Sequence, residues 1–217
     1  MRAVAALMLM TTVVCASGCK KDNVDGTVWV DLGLPSGTLW AFCNVGATQP
    51  EGYGDYFAWG ETEPKDYYNE GAYKWYDRNS WLTKYCTKSS YGYNGFTDSL
   101  TTLQPSDDAA TANWGSDWRI PTSAEWDELI SYCDLTETTR KFVKGILFTS
   151  RYNGNRIFLP AAGYFWYGGL DEAGRMCCYW SSSLDTVDPN RASNFDNGSN
   201  SEKQRCYGLS VRAVRAN

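Results

Sequence analysis

Three kinds of side chain in this sequence could do chemistry: carboxylates, thiols and aromatic rings. Asp55, Glu61 and Glu63 fall in or beside the aromatic run Tyr53-Gly54-Asp55-Tyr56-Phe57-Ala58-Trp59. Two such carboxylates facing each other across a cleft would serve general acid–base catalysis. Asp107 and Asp108 form a second acidic pair, but they stand directly before Ala109-Ala110. At a helix start, a carboxylate there caps the open backbone N–H groups, which is the simpler account. The chain contains no His. That removes the commonest general base, the usual catalytic triads and most transition-metal sites together. The thiols Cys43, Cys86, Cys133, Cys177, Cys178 and Cys206 show no C-x-x-C spacing, which argues against zinc. Cys43 and Cys133 sit in apolar patterns and read as small buried hydrophobes. Adjacent Cys177 and Cys178 would point to opposite faces of a strand, so at most one should face the core. Disulfide pairing among the six is left open. No catalytic residue, metal or cofactor is predicted.

The aromatic rings carry the remaining chemistry. With 15 Tyr and 10 Trp, aromatic residues make up 15% of the chain, more than a core needs. An amphipathic binding surface is the expected use of the excess. Over residues 61–102 regular periodicity fades, and Tyr67, Tyr68, Trp75, Tyr76 and Trp81 recur among Lys, Asn, Ser and Gly. A structureless stretch of that length is uncommon in a compact domain unless it is functional. Residues 163–169 add a second aromatic loop with Trp166 and Tyr167. The candidate ligand-binding residues are therefore Tyr67, Tyr68, Trp75, Tyr76, Trp81, Trp166 and Tyr167. Their expected partner is a glycan or a surface protein, met by two aromatic loops that converge on one side. The formal net charge is −5, and the Lys and Arg residues are scattered. No basic stripe exists for a nucleic acid.

These residues need a scaffold, and its clearest element begins near Thr122. Pro121 lacks an N–H, Thr122 can cap the first turn, and Glu125 can return the cap reciprocally. Trp126, Leu129, Ile130 and Cys133 follow at i, i+3, i+4 and i+7, one apolar stripe. Trp114 and Trp118, just upstream, are placed to wrap the helix entrance. A shorter helix opens at residues 106–110 and closes at Gly115. Strands are expected over 28–32 and 38–45 as an opening hairpin, then over 145–150 and 156–160 around Asn153-Gly154. Further strands are expected at 176–183, around an Asn197-Gly198 turn, and over 209–214, where residues alternate at period two.

The first residues read as an address. Arg2 precedes an apolar run over 3–14, and Ala16-Ser17-Gly18 places small residues before Cys19. The run is too short to span a bilayer, which takes about 20 residues. The pattern resembles a bacterial lipoprotein signal over 1–18, with lipid on Cys19 and a tether over 19–25. Residues 26–217 would form one domain held at the outer membrane through the lipid anchor.

Several strings, in order, resemble the Fibrobacter succinogenes major paralogous domain. They are Asp31-Leu32-Gly33-Leu34-Pro35-Ser36-Gly37-Thr38-Leu39-Trp40-Ala41, Asn44-Val45-Gly46-Ala47, Asp55-Tyr56-Phe57-Ala58-Trp59-Gly60-Glu61, Asp107-Asp108-Ala109-Ala110, Trp118-Arg119-Ile120-Pro121-Thr122, Tyr179-Trp180-Ser181-Ser182 and Gly208-Leu209-Ser210-Val211-Arg212. The family is related to the C-type lectin-like fold and to formylglycine-generating enzymes. The resemblance implies an α+β, C-type lectin-like domain. It would have mostly antiparallel strands and hairpins, two short helices, a long irregular loop region and paired terminal strands. It implies no reaction: the spaced cysteine pair of the enzymes is missing, and so are the calcium-site strings of the lectins. The sequence thus points to a noncatalytic, lipid-anchored binding or adhesion protein of the cell envelope. A structural subunit of a surface assembly and a carboxylate-dependent enzyme are the alternatives.

Overall fold

The computed structural model describes residues 19–21 and 28–217. The expected signal segment over 1–18 and residues 22–25 of the expected tether lie outside the described residues. The strands in chain order begin with β1 (Cys19–Lys21), β2 (Val28–Asp31), β3 (Leu39–Ala41), β4 (Tyr56–Phe57), β5 (Cys133–Arg140), β6 (Val143–Ser150) and β7 (Arg156–Pro160). They continue with β8 (Tyr164–Trp166), β9 (Gly169–Asp171), β10 (Cys178–Leu184), β11 (Arg191–Asp196), β12 (Ser199–Gln204), β13 (Gly208–Ser210) and β14 (Val214–Arg215). Two α-helices, α1 (Ala109–Trp114) and α2 (Ser123–Tyr132), stand between β4 and β5. With nearly all strand pairs antiparallel, the architecture is α+β, as expected.

Local chemistry explains the helices. Thr122 Oγ1 accepts from the Glu125 N–H at 3.2 Å, and the Glu125 carboxylate accepts from the Thr122 N–H at 2.9 Å, so the capping box is complete. Arg119 grips the same carboxylate with both guanidinium arms, each at 2.6 Å. Burial pushes the Glu125 carboxyl up, but the hydrogen bonds from Arg119 and Thr122 together outweigh it and hold the group below its ordinary range. Thr122→Ala should cost about 1 kcal/mol in a denaturant titration. A loss of only a tenth or two would mean that Arg119 and Glu125 hold the helix start without the hydroxyl. Asp108 caps α1, accepting from Ala110 and Thr111 N–H groups at 2.9 and 3.0 Å. Asp107 has a different place: it ion-pairs with Lys84 at 2.6 Å and accepts from the Tyr85 hydroxyl at 2.7 Å.

One sheet runs β1-β2-β3-β14, and Val214 pairs with Trp40, so the C-terminal strand closes onto the opening hairpin as expected. The largest runs β12-β11-β10-β13-β8-β9, with β4 also paired to β13; its β10–β13 contact is parallel. The third is the antiparallel meander β5-β6-β7. Strand β10 separates two cores. Cys178 and Trp180 face one cluster with Trp59, Trp118 and Leu209, while Cys177 and Tyr179 face another with Trp40, Trp126 and Leu129. In the second cluster Trp126 stacks on Phe195 at 4.8 Å between ring centroids, and its ring also lies 4.8 Å from Trp40.

Several expectations need correcting. Cys177 and Cys178 do point to opposite faces, but both are buried, because this sheet is covered on both sides. Burial pushes both thiols up to about 12, and all six thiols beyond Cys19 are free. Trp114 and Trp118 meet edge to face at 5.3 Å but join the first cluster rather than the α2 stripe. Residues 163–169 are not a loop: they hold β8 and the turn into β9. Residues 209–214 are not one strand. They split between two sheets, and Arg212 in the gap is buried, donating to Asn44 Oδ1 at 2.9 Å and to the carbonyls of Ala41, Phe42 and Phe158 at 3.2, 3.3 and 2.9 Å. Strand β5 was not expected. Its turn into β6 rests on Lys141 and Phe142, both left-handed at φ 45° and 69°, and Phe142 stands fully exposed.

Candidate functional site

The expected meeting of the two aromatic segments is present, and a pair of hydrogen bonds makes it. The Tyr68 N–H donates to the Tyr167 carbonyl at 3.1 Å, and the Tyr167 N–H donates to the Tyr68 carbonyl at 2.7 Å. Tyr167 opens the two-residue turn of the β8–β9 hairpin at φ 52°, a left-handed backbone that costs a Tyr on the order of 1–3 kcal/mol. The two bonds to Tyr68 hold that conformation and present the Tyr167 ring outward, 48% exposed.

Strand parity sorts the rest. In β8, Tyr164 and Trp166 share one face and Phe165 takes the other. Phe165 packs inward, edge-on to Tyr56 at 4.8 Å and 5.7 Å from Tyr68. On the other face the rings run in a continuous row. Tyr67 and Tyr167 are 6.1 Å apart, Tyr167 and Trp166 4.7 Å, Trp166 and Tyr207 4.1 Å, and Tyr207 and Tyr164 5.6 Å. The Lys203 ammonium sits 4.4 Å from the Tyr164 ring at the far end. Tyr67 is 50% exposed, and Trp166, Tyr207 and Tyr164 are half-buried. The row has two open rings at one end and three supported rings behind them.

Of the seven candidate residues, Tyr67, Trp166 and Tyr167 lie in this row. Tyr68 is corrected: it is 1% exposed and cannot touch a ligand. Its ring lies against Gly208, where a Cβ would come within 2.7 Å, and its hydroxyl donates to the Tyr56 carbonyl. Burial pushes that hydroxyl up to about 12, so it stays a protonated donor. Trp75 is half-buried and already engaged. Its indole N–H donates to the Gly60 carbonyl at 2.9 Å, and the Lys74 and Lys84 ammonium groups lie 4.3 and 5.0 Å from its ring. Tyr76 packs edge-on to Tyr73 at 5.0 Å and its hydroxyl meets Asn190. Trp81 is 43% exposed but belongs to a separate cleft. Tyr207, isolated between Cys206 and Gly208, was not anticipated.

A buried arginine fastens the irregular segment to the sheet. Arg205 donates from Nε to the Tyr73 hydroxyl at 2.8 Å and from its two arms to the carbonyls of Tyr85, Pro189 and Lys84 at 3.1, 3.0 and 3.1 Å. Its guanidinium also lies 4.9 Å from the Trp59 ring. Of the carboxylates considered for catalysis, Glu61 is already engaged. It is buried, ion-paired with Lys65 at 2.7 Å, and accepts from the Lys74 N–H at 2.8 Å. Among the described residues no group of three or more Cys, Asp and Glu side chains is placed to hold a metal ion. Compared with known proteins, the chain matches no family model, no curated protein and no solved structure.

Proposed function

We propose that this protein is a noncatalytic glycan-binding or adhesion domain with a C-type lectin-like arrangement, held at the cell envelope by lipid on Cys19. The observation that carries the reading is the row Tyr67, Tyr167, Trp166, Tyr207 and Tyr164, with Tyr167 half-exposed on a strained hairpin tip and Tyr67 half-exposed beside it. Planar side chains offer large contact area at low entropic cost, and sugar rings present apolar C–H faces that suit them. A row of rings suits a chain of sugars. The buried, fully engaged Glu61 supports binding over acid–base chemistry. The test is a screen of the purified chain on immobilised glycans, and binding to a protein partner alone would replace the glycan reading.

The lipid anchor rests on the residues before Cys19 and has its own test. Cys19→Ala should shift the protein from the membrane fraction to the soluble fraction and abolish labelling by a fatty-acid analogue. A Cys19→Ala variant that stays in the membrane fraction, or a parent chain that takes no label, would contradict the anchor. Among the described residues no helix is long and apolar enough to cross a membrane.

A further inference from the structure

We propose that the cleft between residues 79–81 and 89–95 is a second, preformed site that takes an uncharged sugar ring. It shares no residue with the aromatic row and so stands apart from the reading above. The cleft encloses about 340 Å³. Two aromatic side chains line it, Trp81 at 43% and Tyr93 at 47% exposure. The backbone dictates their outward aim. Leu82 is fully buried, so in extended chain its neighbour Trp81 turns to solvent. The Leu82 N–H donates to the Tyr91 carbonyl at 2.9 Å and its carbonyl accepts from the Tyr93 N–H at 2.9 Å, which brings the two rims side by side.

Each rim is fixed by the chain itself. The Asp77 carboxylate accepts from the Trp81 and Asn79 N–H groups at 2.7 and 2.9 Å. On the other side a tight turn returns the Phe96 N–H to the Tyr93 carbonyl at 2.9 Å. Gly92 permits that turn, since a Cβ there would lie 1.8 Å from the Phe96 carbonyl oxygen. A rim fixed before the ligand arrives leaves little ordering to be done on binding.

The chemistry of the lining selects the ligand. Asn79, Ser89, Ser90 and Asn94 complete it, and no Asp, Glu, Lys or Arg lines the cleft. Their side chains make no hydrogen bond within the described chain, so amide and hydroxyl groups are free to donate and accept. Aromatic faces beside uncharged hydroxyl and amide groups fit a pyranose, which has a C–H face and a rim of hydroxyls. An ionised ligand would meet no counter-charge here. The larger groove of about 420 Å³ beside β5 and β6 lacks aromatic lining and carries Glu137, Lys144 and Arg175 instead.

The purified chain is titrated with cellotetraose, maltotetraose, mannotetraose and chitotetraose, and with tetragalacturonate as the charged control, by tryptophan fluorescence and calorimetry. At least one neutral tetrasaccharide should bind saturably while tetragalacturonate does not. Trp81→Ala and Tyr93→Ala should each weaken that binding by about tenfold or more, as expected for aromatic anchors. Both residues are exposed, so melting temperatures should stay within about a degree. Phe142→Ala, fully exposed and in neither the cleft nor the aromatic row, should retain the affinity within about twofold. No saturable binding at concentrations on the order of 10 mM, preference for tetragalacturonate, or affinity unchanged in both Trp81→Ala and Tyr93→Ala would overturn the proposal.

Discussion

Arg205→Met should destabilise the domain by about 4 kcal/mol or more. The guanidinium is fully buried and is the donor that the carbonyls of Lys84, Tyr85 and Pro189 have in common. Removing it leaves three main-chain acceptors and the Tyr73 hydroxyl short of a donor, at about 1–3 kcal/mol for each buried group left unsatisfied. Methionine restores much of the volume, so the loss isolates hydrogen bonding from packing. Arg205→Lys should rescue little, because a single ammonium cannot reach four acceptors spread around a planar fork. For a domain of this size the melting temperature should fall by about 8–16 °C. A melting temperature within about a degree of the parent's would mean that the segment over 61–102 holds its shape without Arg205.

Trp126→Ala should cost about 3–5 kcal/mol, the usual loss for a fully buried aromatic whose site cannot collapse. Its ring stacks on Phe195, lies against Trp40 and sends its N–H to the Trp180 carbonyl at 3.3 Å. Helix α2, the sheet containing β11 and the terminal sheet all meet at this one side chain. Neither the sheets nor the helix can close over a void of that size. Chemical denaturation reads the loss directly, and a change of a few tenths of a kcal/mol would contradict the assignment of this residue to the core.

The elements that were readable in advance are those whose cause is local. Thr122 and Glu125 announce α2 within four residues, and Asn153-Gly154 and Asn197-Gly198 announce their hairpins through turn chemistry. The β5–β6 hairpin carries no such announcement. Its turn places Lys141 and Phe142 at positive φ, where Asn-Gly is the usual pair, and every residue of β5 past Leu135 is polar. Residues 208–214 are buried throughout, so their alternation reflects two covered faces and not one wet face. The site followed the same rule. The segments that meet were identifiable by aromatic content, but which of Tyr67 and Tyr68 faces out depends on parity set by Gly208, 140 positions away. Tyr207 enters the row only through the pairing of β13 with β8.

The aromatic row itself is tested most directly by measuring glycan binding and melting temperature together for the parent chain and for Tyr67→Ala/Tyr167→Ala. Both rings are about half-exposed, so the scaffold should melt within about a degree of the parent. Binding to the glycan selected on the array should fall by about a hundredfold, since truncating paired aromatic anchors removes most of the contact. Undiminished binding in a variant that melts like the parent would contradict the assignment of this row as the recognition surface.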